Sequence, residues 1–295
     1  GQNWKQMTAV PTVQGQPKSI AGVGVNHLVL DPSDPNAIYL ASRSSGLYYS
    51  YNIMEGWHKA GGLPSARINS VAVDPEAKCI IYAGVQNKLF KSTDCNRTWE
   101  PVYHDDNPEA RITAIVIDHY EPNRIFIGNS LGFILKSEDR GASWSTMKKV
   151  DDIILGLYNS PHDSRVMFAT TQKKGIFRSD DKGATWLSLV ENMKEFNNRT
   201  QIRDLALSGS EENLIIAATA DYGLLKSEDG GNTWSQLKLL TPDKKTSINS
   251  VAINPQSAQE IYYVTDHTFY RSLNGGESWS TKALPTIRPG SSVLL

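Results

Sequence analysis

A nine-residue segment recurs along the chain and limits what the chain can fold into. Its pattern is Ser-x-Asp-x-Gly-x-Thr/Ser-Trp, preceded by Lys or Arg. A worn copy at 49–57 keeps Ser50, Asn52 and Trp57, and Asn96 replaces the glycine in the copy that follows it. The five full copies lie at 91–99, 136–144, 178–186, 226–234 and 271–279.

The chemistry of this segment predicts a turn that satisfies its own hydrogen bonds. An Asp or Asn side chain accepts hydrogen bonds from backbone N–H groups two or three residues further on. The glycine can adopt a positive φ without a Cβ penalty, and the Trp offers a large apolar face to pack over the turn. We therefore assign a structural role to the repeated residues, which are Asn52, Asp94, Asp139, Asp181, Asp229, Asn274, Trp57, Trp99, Trp144, Trp186, Trp234 and Trp279.

The spacing of the segment predicts a β-propeller. The tryptophans that close the copies are 42, 45, 42, 48 and 45 residues apart. A period near 45 residues with short apolar strands is typical of four-stranded propeller blades, and no stretch has a sustained helical period. We expect one all-β domain over residues 1–295, with complete blades at 25–66, 67–110, 111–152, 153–200, 201–246 and 247–284.

The two chain ends predict a seventh, incomplete blade. Residues 1–10 contain Trp4 and look like an outer strand, whereas residues 291–295 look like an inner strand. We expect both ends to join in one blade that lacks its two middle strands, because a ring closed in this way leaves no free sheet edge. The missing strands would belong to a longer native chain. The alternative is a six-bladed ring with two spare ends.

The segment resembles the Asp-box (BNR) repeat of sialidases, sortilin-type receptor domains, two-propeller xyloglucanases and the photosystem II assembly-factor family. The sialidase resemblance implies an arginine triad, a Tyr–Glu pair and an Arg-Ile-Pro signature in the first blade. The nearest string here is Ile-Arg-Pro at 287–289, in the wrong order and at the wrong end. The xyloglucanase resemblance implies two carboxylates between two propellers, and we expect only one propeller. We therefore assign no catalytic residue.

Polar residues stand where most of the inner strands begin, and they form the candidate ligand site. Propeller symmetry would arrange them around the mouth of the central channel, with Leu155 as an apolar exception. Because arginine can grip a carboxylate with two hydrogen bonds, one interpretation is a pocket for a carboxylate or a sugar. The other is that a solvated channel mouth is polar in any propeller. The candidates are Asn26, Asn69, Thr113, Arg203 and Asn249, with Arg67 and Arg111 beside them.

Composition argues against several classes of protein. The 295 residues carry a net charge of −1, which gives no electrostatic basis for binding nucleic acid. No apolar run approaches the roughly 18 residues of a transmembrane segment. The six histidines show no metal-ligand spacing, so we expect neither a metal nor a cofactor.

The two cysteines, Cys79 and Cys95, bear on the compartment. Folding 79–84 back on 88–93 brings them to one end of a hairpin, where a disulfide or two free thiols would both fit. A disulfide would suit an oxidising compartment. We expect an exported protein (periplasmic, cell-surface or secreted), with a lipid anchor outside this segment as an option.

Basic residues precede the serine of every full copy. Periodicity would place them at equivalent points of the outer rim. We expect them to be solvated and to blunt the outer sheet edges against pairing, rather than to bind an anion. They are Lys91, Lys136, Arg178, Lys226 and Arg271.

These observations favour a non-catalytic binding or assembly scaffold. We expect it to engage a protein or peptide partner through loops on one face, such as those at 102–110 and 190–201. The alternative is a carbohydrate-binding protein or a diverged glycoside hydrolase of the sialidase-like superfamily. Loss of binding on substitution of Arg67, Arg111 or Arg203 would indicate a sugar or carboxylate ligand.

Overall fold

Short β-strands dominate the computed structural model, which describes residues 5, 7–10, 18–196, 199–240 and 247–284. Within these residues, six four-stranded antiparallel sheets follow one another, and consecutive strands pair in each of them. These sheets are the blades of a β-propeller, so the all-β propeller prediction is confirmed. The structure divides into two compact units, residues 1–149 and residues 150–295, with three blades each. The expectation of a single domain stays a prediction.

The first unit contains a small N-terminal sheet and blades 1 to 3. The small sheet pairs β1 (Ala9–Val10) with β2 (Lys18–Ser19). From inner to outer strand, blade 1 consists of β3 (Val25–Asp31), β4 (Asp34–Ser42), β5 (Leu47–Ser50) and β6 (His58–Lys59). Blade 2 consists of β7 (Ile68–Val73), β8 (Ile81–Val85), β9 (Lys88–Ser92) and β10 (Glu100–His104). Blade 3 consists of β11 (Ile112–Ile117), β12 (Ile125–Asn129), β13 (Phe133–Ser137) and β14 (Ser145–Lys149).

The second unit contains blades 4 to 6. A 3₁₀ helix at Val190–Met193 follows the outer strand of blade 4. Blade 4 consists of β15 (Ile154–Asn159), β16 (Met167–Thr171), β17 (Ile176–Ser179) and β18 (Leu187–Ser188). Blade 5 consists of β19 (Ile202–Leu207), β20 (Ile215–Thr219), β21 (Leu224–Ser227) and β22 (Ser235–Gln236). Blade 6 consists of β23 (Ser250–Asn254), β24 (Ser257–Val264), β25 (Thr268–Ser272) and β26 (Ser280–Ala283).

The core lies between neighbouring blades of each unit. Every residue of the second strands β8, β12, β16 and β20 is buried, as expected for such apolar runs. Tyr39 of blade 1 and Ile68 of blade 2 belong to one apolar cluster, and Ile216 of blade 5 and Val251 of blade 6 belong to another. Burial between blades therefore holds the inner strands side by side and sets the spacing of the residues at their ends.

The prediction of a seventh blade was wrong, since the described residues form six blades. The N-terminal strand β1 pairs with β2, its neighbour in the sequence, and not with a strand from the other end of the chain. The same segment covers blade 1: the carbonyl of Met7 accepts Trp57 Nε1–H at 2.9 Å, and the carbonyl of Ala9 accepts the Trp57 backbone N–H at 2.8 Å. It is therefore not the outer strand of another blade. Trp4 and the expected inner strand at 291–295 lie outside the described residues.

The Asp-box turns connect the third and outer strands through one hydrogen-bond pattern, shown here for blade 3. Ser137 Oγ donates to Asp139 Oδ1 at 2.7 Å and accepts the Gly141 N–H at 2.8 Å. The Asp139 carboxylate also accepts the hydroxyl and the N–H of Ser143, which holds its pKa at about 2. Gly141 has a φ of 95°, and Trp144 Nε1 donates to its carbonyl. Asp94, Asp181 and Asp229 accept the equivalent backbone N–H. Asn274 also accepts the Ser278 N–H, but its Nδ2 donates to the Ser278 hydroxyl.

The basic residues before the box serines do more than cover an edge. Lys91 Nζ lies 5.7 Å from the centre of the Tyr82 ring and donates to the carbonyl of Arg140 in blade 3 at 3.2 Å. Arg178 repeats both contacts in the second unit, over an aromatic ring of its own blade and to the carbonyl of Gly230 in blade 5. Each of these cations fastens one blade to the Asp-box turn of the next. The expectation of a solvated rim was wrong at these two positions.

A disulfide joins Cys79 and Cys95 at one end of blade 2, with the two Cα atoms 4.1 Å apart. The Cys95 N–H also donates to the carbonyl of Cys79 at 3.3 Å. Blade 3 has the corresponding backbone bond, from the Arg140 N–H to the carbonyl of Asn123. The disulfide therefore reinforces with a covalent bond a turn-to-turn contact that other blades make through the backbone alone.

Candidate functional site

The residues predicted at the start of the inner strands are the extra residues of β-bulges in blades 1 to 5, but not in blade 6, where the pairing begins at Ser250. In blades 1 to 5, one residue of the inner strand is unpaired, whereas the residues on either side of it pair with two consecutive residues of the second strand. A bulge of this kind turns a side chain out of the ladder and re-aims it. One structural position therefore underlies the candidates that sequence symmetry selects. The bulged residues are Asn26, Asn69, Thr113, Leu155 and Arg203.

In the first unit the bulged side chains bond within the fold. Asn26 Nδ2 donates to the carbonyl of Ile68 in blade 2 at 2.8 Å, and Asn69 Nδ2 donates to the carbonyl of Ile112 in blade 3 at 3.1 Å. We call these two bonds the asparagine ladder. Thr113 Oγ1 donates to a carbonyl of its own blade at 3.1 Å. The ladder fills the gap between neighbouring inner strands with a polar bridge.

The two arginines predicted beside this position also bond within the first unit. Arg67 Nε donates to Asn69 Oδ1 at 2.8 Å and so supports the asparagine ladder. Arg111 Nη1 donates to the carbonyls of Pro108 and Ala110, each at 2.7 Å. Both guanidinium groups therefore hold local backbone and side chains in place, which leaves them less available to a ligand.

A pocket of about 480 Å³ lies at the same strand position in the second unit. Leu155 and Arg203 stand there in place of the ladder asparagines, and both side chains are exposed. Leucine has no amide to donate, so it cannot bridge to the inner strand of blade 5 as Asn26 bridges to blade 2. The pocket wall also includes Gln172, Lys173, Gln201, Ile202, Ala220 and Asn249.

Two cations give this pocket its charge. Within the residues that the structure describes, neither the Arg203 guanidinium nor the Lys173 ammonium has an ion-pair partner. Asp152 Oδ2 accepts the backbone N–H groups of Lys173 and Lys174 at 2.5 and 3.0 Å, and these bonds fix the turn that carries Lys173. The wall therefore presents two positive charges beside the exposed side chain of Leu155.

A carboxylate lies directly behind the pocket wall. Asp204 follows Arg203 on β19, and its Oδ2 accepts the Ser250 hydroxyl at 2.6 Å and the Val251 N–H at 3.1 Å. Its Oδ1 accepts the Leu205 N–H at 2.9 Å and lies 3.4 Å from the Tyr158 hydroxyl. Desolvation raises the pKa of Asp204 above its ordinary value, and the hydrogen bonds oppose that rise. The carboxylate thus joins residues of blades 4, 5 and 6.

The structure separates the predicted ligand residues into two groups. Arg203 and Asn249 line one pocket of the second unit. Sequence reasoning missed Gln172 and Lys173, which come from the turn between β16 and β17, because strand periodicity selects only the inner-strand ends. The polar run 172–174 was the available signal. The residues that bond within the first unit instead are Asn26, Asn69, Thr113, Arg67 and Arg111.

The described residues contain neither a metal-binding cluster nor a membrane-spanning helix. No group of three or more His, Cys, Asp or Glu side chains there is arranged to hold a metal ion. Among the same residues, no helix is both long and apolar enough to cross a membrane.

Sequence comparisons relate the chain to two kinds of propeller protein. The family model Sortilin-Vps10 (sortilin, neurotensin receptor 3) matches residues 132–226. Xyloglucanase Xgh74A of Acetivibrio thermocellus is 25% identical over 182 residues, which cover 55% of this chain and 19% of that protein. The chain therefore spans about a fifth of the length of the xyloglucanases that it matches.

Structural comparisons support the same fold. The GH74 xyloglucanase from Xanthomonas campestris superposes with a TM-score of 0.72 at 16% identity, over 88% of this chain and 45% of that one. YCF48 from Cyanidioschyzon merolae gives 0.69 at 14% identity, over 93% and 87%. A structure of YCF48 bound to D1 peptide gives 0.56 at 17% identity, over 73% and 68%. The fold is thus that of a repeat β-propeller. Its Asp-box turns and these matches fit the BNR-like (Asp-box) β-propeller superfamily.

Proposed function

We propose that the chain is an exported, non-catalytic binding module that engages a peptide segment of a protein partner through the pocket of the second unit. The observation that carries the proposal is the pocket wall, where Arg203 and Lys173 lack ion-pair partners among the described residues and lie beside an apolar side chain. The disulfide between Cys79 and Cys95 supports export, because such bonds persist in oxidising compartments.

The chemistry of the wall suits a carboxylate with an apolar neighbour. A guanidinium binds a carboxylate through two parallel hydrogen bonds, and Lys173 adds a second positive charge. Leu155, whose surface is 40% exposed, offers apolar contact to an adjacent side chain. The side-chain amides of Gln172 and Gln201 can bond a peptide backbone. A volume of about 480 Å³ is within the range of ligand pockets.

Two further observations favour binding over catalysis. Among the described residues, the lining of the pocket includes no carboxyl group, whereas glycoside hydrolysis ordinarily uses a pair of them. YCF48, whose fold this chain shares over most of the length of both, has been seen bound to a peptide. A peptide segment is therefore the ligand that the pocket and the comparisons jointly support.

Fluorescence polarisation with labelled peptides tests this proposal. The probes end in a free carboxylate preceded by an apolar residue, and the same peptides with an amidated end serve as controls. We expect Arg203→Gln to weaken binding by about tenfold or more, as loss of a charge-assisted hydrogen bond should. Leu155→Asn should also weaken it, because the substitution removes the apolar contact and the amide can bond to the inner strand of blade 5. Arg67→Gln is the matched control and should leave binding unchanged. Equal binding by the wild type, Arg203→Gln and Leu155→Asn would contradict the proposal.

A carbohydrate ligand is the second candidate, and the match to xyloglucanases favours it. A thermal-shift screen with xyloglucan oligosaccharides and uronic acids separates the two. A sugar present at about 100 times its Kd should stabilise the fold by roughly 2.7 kcal/mol. Stabilisation by a neutral oligosaccharide, with no binding of the peptides, would replace the peptide proposal with the sugar proposal.

A further inference from the structure

The inner strands of blades 4, 5 and 6 are joined behind the pocket by one carboxylate. Ser250 Oγ and the Val251 N–H donate to Asp204 Oδ2 from blade 6. Tyr158 Oη donates to Oδ1 from blade 4, and the Leu205 N–H donates to Oδ1 from the strand of Asp204 itself. The four donors use both oxygens of the group.

Each strand joined in this way carries a residue of the pocket wall or directly follows one. Arg203 immediately precedes Asp204, and Asn249 immediately precedes Ser250. Leu155 lies three positions before Tyr158 on β15. Movement of one strand relative to the next would therefore change the separation of the wall residues.

We infer that Asp204 is a positioning residue, whose carboxylate fixes the relative placement of three inner strands and thereby the shape of the pocket. Its effect on ligand affinity rests on the proposed function, whereas its effect on the pocket wall does not.

The local sequence of blade 4 is arranged around this contact. Gly156 occupies in β15 the position that Asp204 occupies in β19, directly after the bulge. A Cβ atom at Gly156 would lie 2.5 Å from Tyr158 Oη, so glycine leaves the room through which the tyrosine hydroxyl reaches Asp204. In blade 5 this position carries the carboxylate of Asp204. In blade 4 it carries Gly156, and the side chain of Tyr158, two residues further on, occupies the space beside it.

A neutral amide cannot replace this carboxylate. Asparagine keeps one carbonyl oxygen, but its NH₂ group would face donors that need an acceptor. Asp204→Asn should therefore lose the bonds on one side, although it preserves the volume. Tyr158→Phe removes a single hydroxyl and cuts only the link from blade 4. These two variants separate the carboxylate from the packing around it.

The first unit offers a matched control. His27 stands at the position of Asp204 in blade 1, and its Nδ1 accepts the Val71 N–H of blade 2 at 3.3 Å. Burial lowers the pKa of His27 to about 4, so it accepts this bond as a neutral ring near pH 7. His27→Phe removes an equivalent link between blades without touching the second unit.

Nuclear magnetic resonance of the full chain provides readouts that do not depend on a ligand. We expect hydrogen exchange at the Val251 amide to be about tenfold faster or more in Asp204→Asn, as loss of a bond to a charged acceptor predicts. The methyl signals of Leu155 and the Nε signal of Arg203 should shift in Asp204→Asn and Tyr158→Phe. In His27→Phe they should keep their wild-type positions, whatever that variant does to the melting temperature.

Peptide affinity provides the second readout. We expect both second-unit variants to weaken the fluorescence-polarisation probes, whereas His27→Phe should not. If the wild type binds none of the probes, the proposed function fails, and the resonance and exchange data still decide the inference. Wild-type signals for Leu155 and Arg203 in Tyr158→Phe would overturn it, and this variant decides alone if Asp204→Asn does not fold.

Discussion

Arg178 and Lys226 occupy the same position in successive blades, and the structure predicts different costs for removing them. Each is paired with the acid two residues further on, Asp180 or Glu228, and each side chain is 19% exposed. Arg178 Nη1 also donates to the carbonyl of Gly230 in blade 5 at 2.5 Å. Within the described residues, no such bond to the next blade is seen for Lys226. Substitution of each by methionine keeps most of the apolar stem and removes the charge.

The size of the difference follows from the contacts that only Arg178 makes. A hydrogen bond from a charged donor contributes roughly 1.5–3 kcal/mol. The guanidinium also lies over the Phe168 ring, 5.8 Å from its centre, which adds about 0.5–1 kcal/mol. Lys226 pairs with Ile216 on the neighbouring strand β20, and an isoleucine has no aromatic ring for a cation–π contact. We expect Arg178→Met to lower the free energy of unfolding by about 2–4 kcal/mol and Lys226→Met by less than about 1 kcal/mol, as for an exposed ion pair.

Urea unfolding of the two variants and the wild type measures the difference. The urea midpoints are compared at a common m-value, the dependence of the unfolding free energy on urea concentration. A change in stability is then separated from a change in the unfolded state. Raising the salt concentration should reduce the small loss in Lys226→Met, because exposed ion pairs are screened. Equal losses in the two variants would refute the argument that the cation fastens one blade to the next Asp-box turn.

Two further predictions concern the disulfide and the response to acid. Cys79→Ser with Cys95→Ser should lower the stability by roughly 3 kcal/mol, since the bond closes a loop of 16 residues, and a reductant should act on the wild type but not on the double variant. Hydrogen bonds from Thr98 and Ser143 hold the pKa values of Asp94 and Asp139 at about 2, so their contribution should be complete above about pH 4. This contribution to the free energy of unfolding should be lost as the pH falls through 2. Urea midpoints measured from pH 5 downward would show the loss. In Asp139→Asn, the midpoint should depend less steeply on pH.

The sequence was sufficient for the blades because each one is specified locally. The Asp-box turn contains its own donors and acceptors, as the bonds between Ser137, Asp139 and Ser143 show. The predicted number of blades depended on how the chain ends pair, and no complete Asp-box motif at the ends specifies that pairing. There the pairing of β1 with β2 and the bonds from Trp57 to the N-terminal segment determine the outcome, and these depend on the three-dimensional neighbourhood.

The contacts between blades were harder to predict because they depend on strand register. Periodicity placed Arg178 on the rim, but its role follows from its pairing opposite Phe168. The same pairing sets Lys91 opposite Tyr82 and Arg271 opposite Tyr262. An aromatic residue nine or ten positions before the basic residue was therefore a signal in the sequence. It becomes readable only when the hairpin between the second and third strands is aligned.

The asparagine ladder of the first unit and the pocket of the second unit lie at the same position of the inner strands, and this comparison leads to a last prediction. Leu155→Asn should place an amide near the inner strand of blade 5, as Asn26 does for blade 2. A new hydrogen bond of this kind contributes about 1 kcal/mol, and an exposed leucine is removed. We therefore expect the variant to be slightly more stable than the wild type and to bind the peptide probes less well.

The reciprocal change, Asn69→Leu, should lower stability, because it removes the bonds to Ile112 and Arg67. Unfolding midpoints and probe affinities measured on both variants test the pair together. A stabilised Leu155→Asn that has lost its affinity would mean that Leu155 is retained for binding at a cost in stability. A destabilised Leu155→Asn with unchanged affinity would mean that the pocket owes its shape to other residues, and the argument from the ladder would fail.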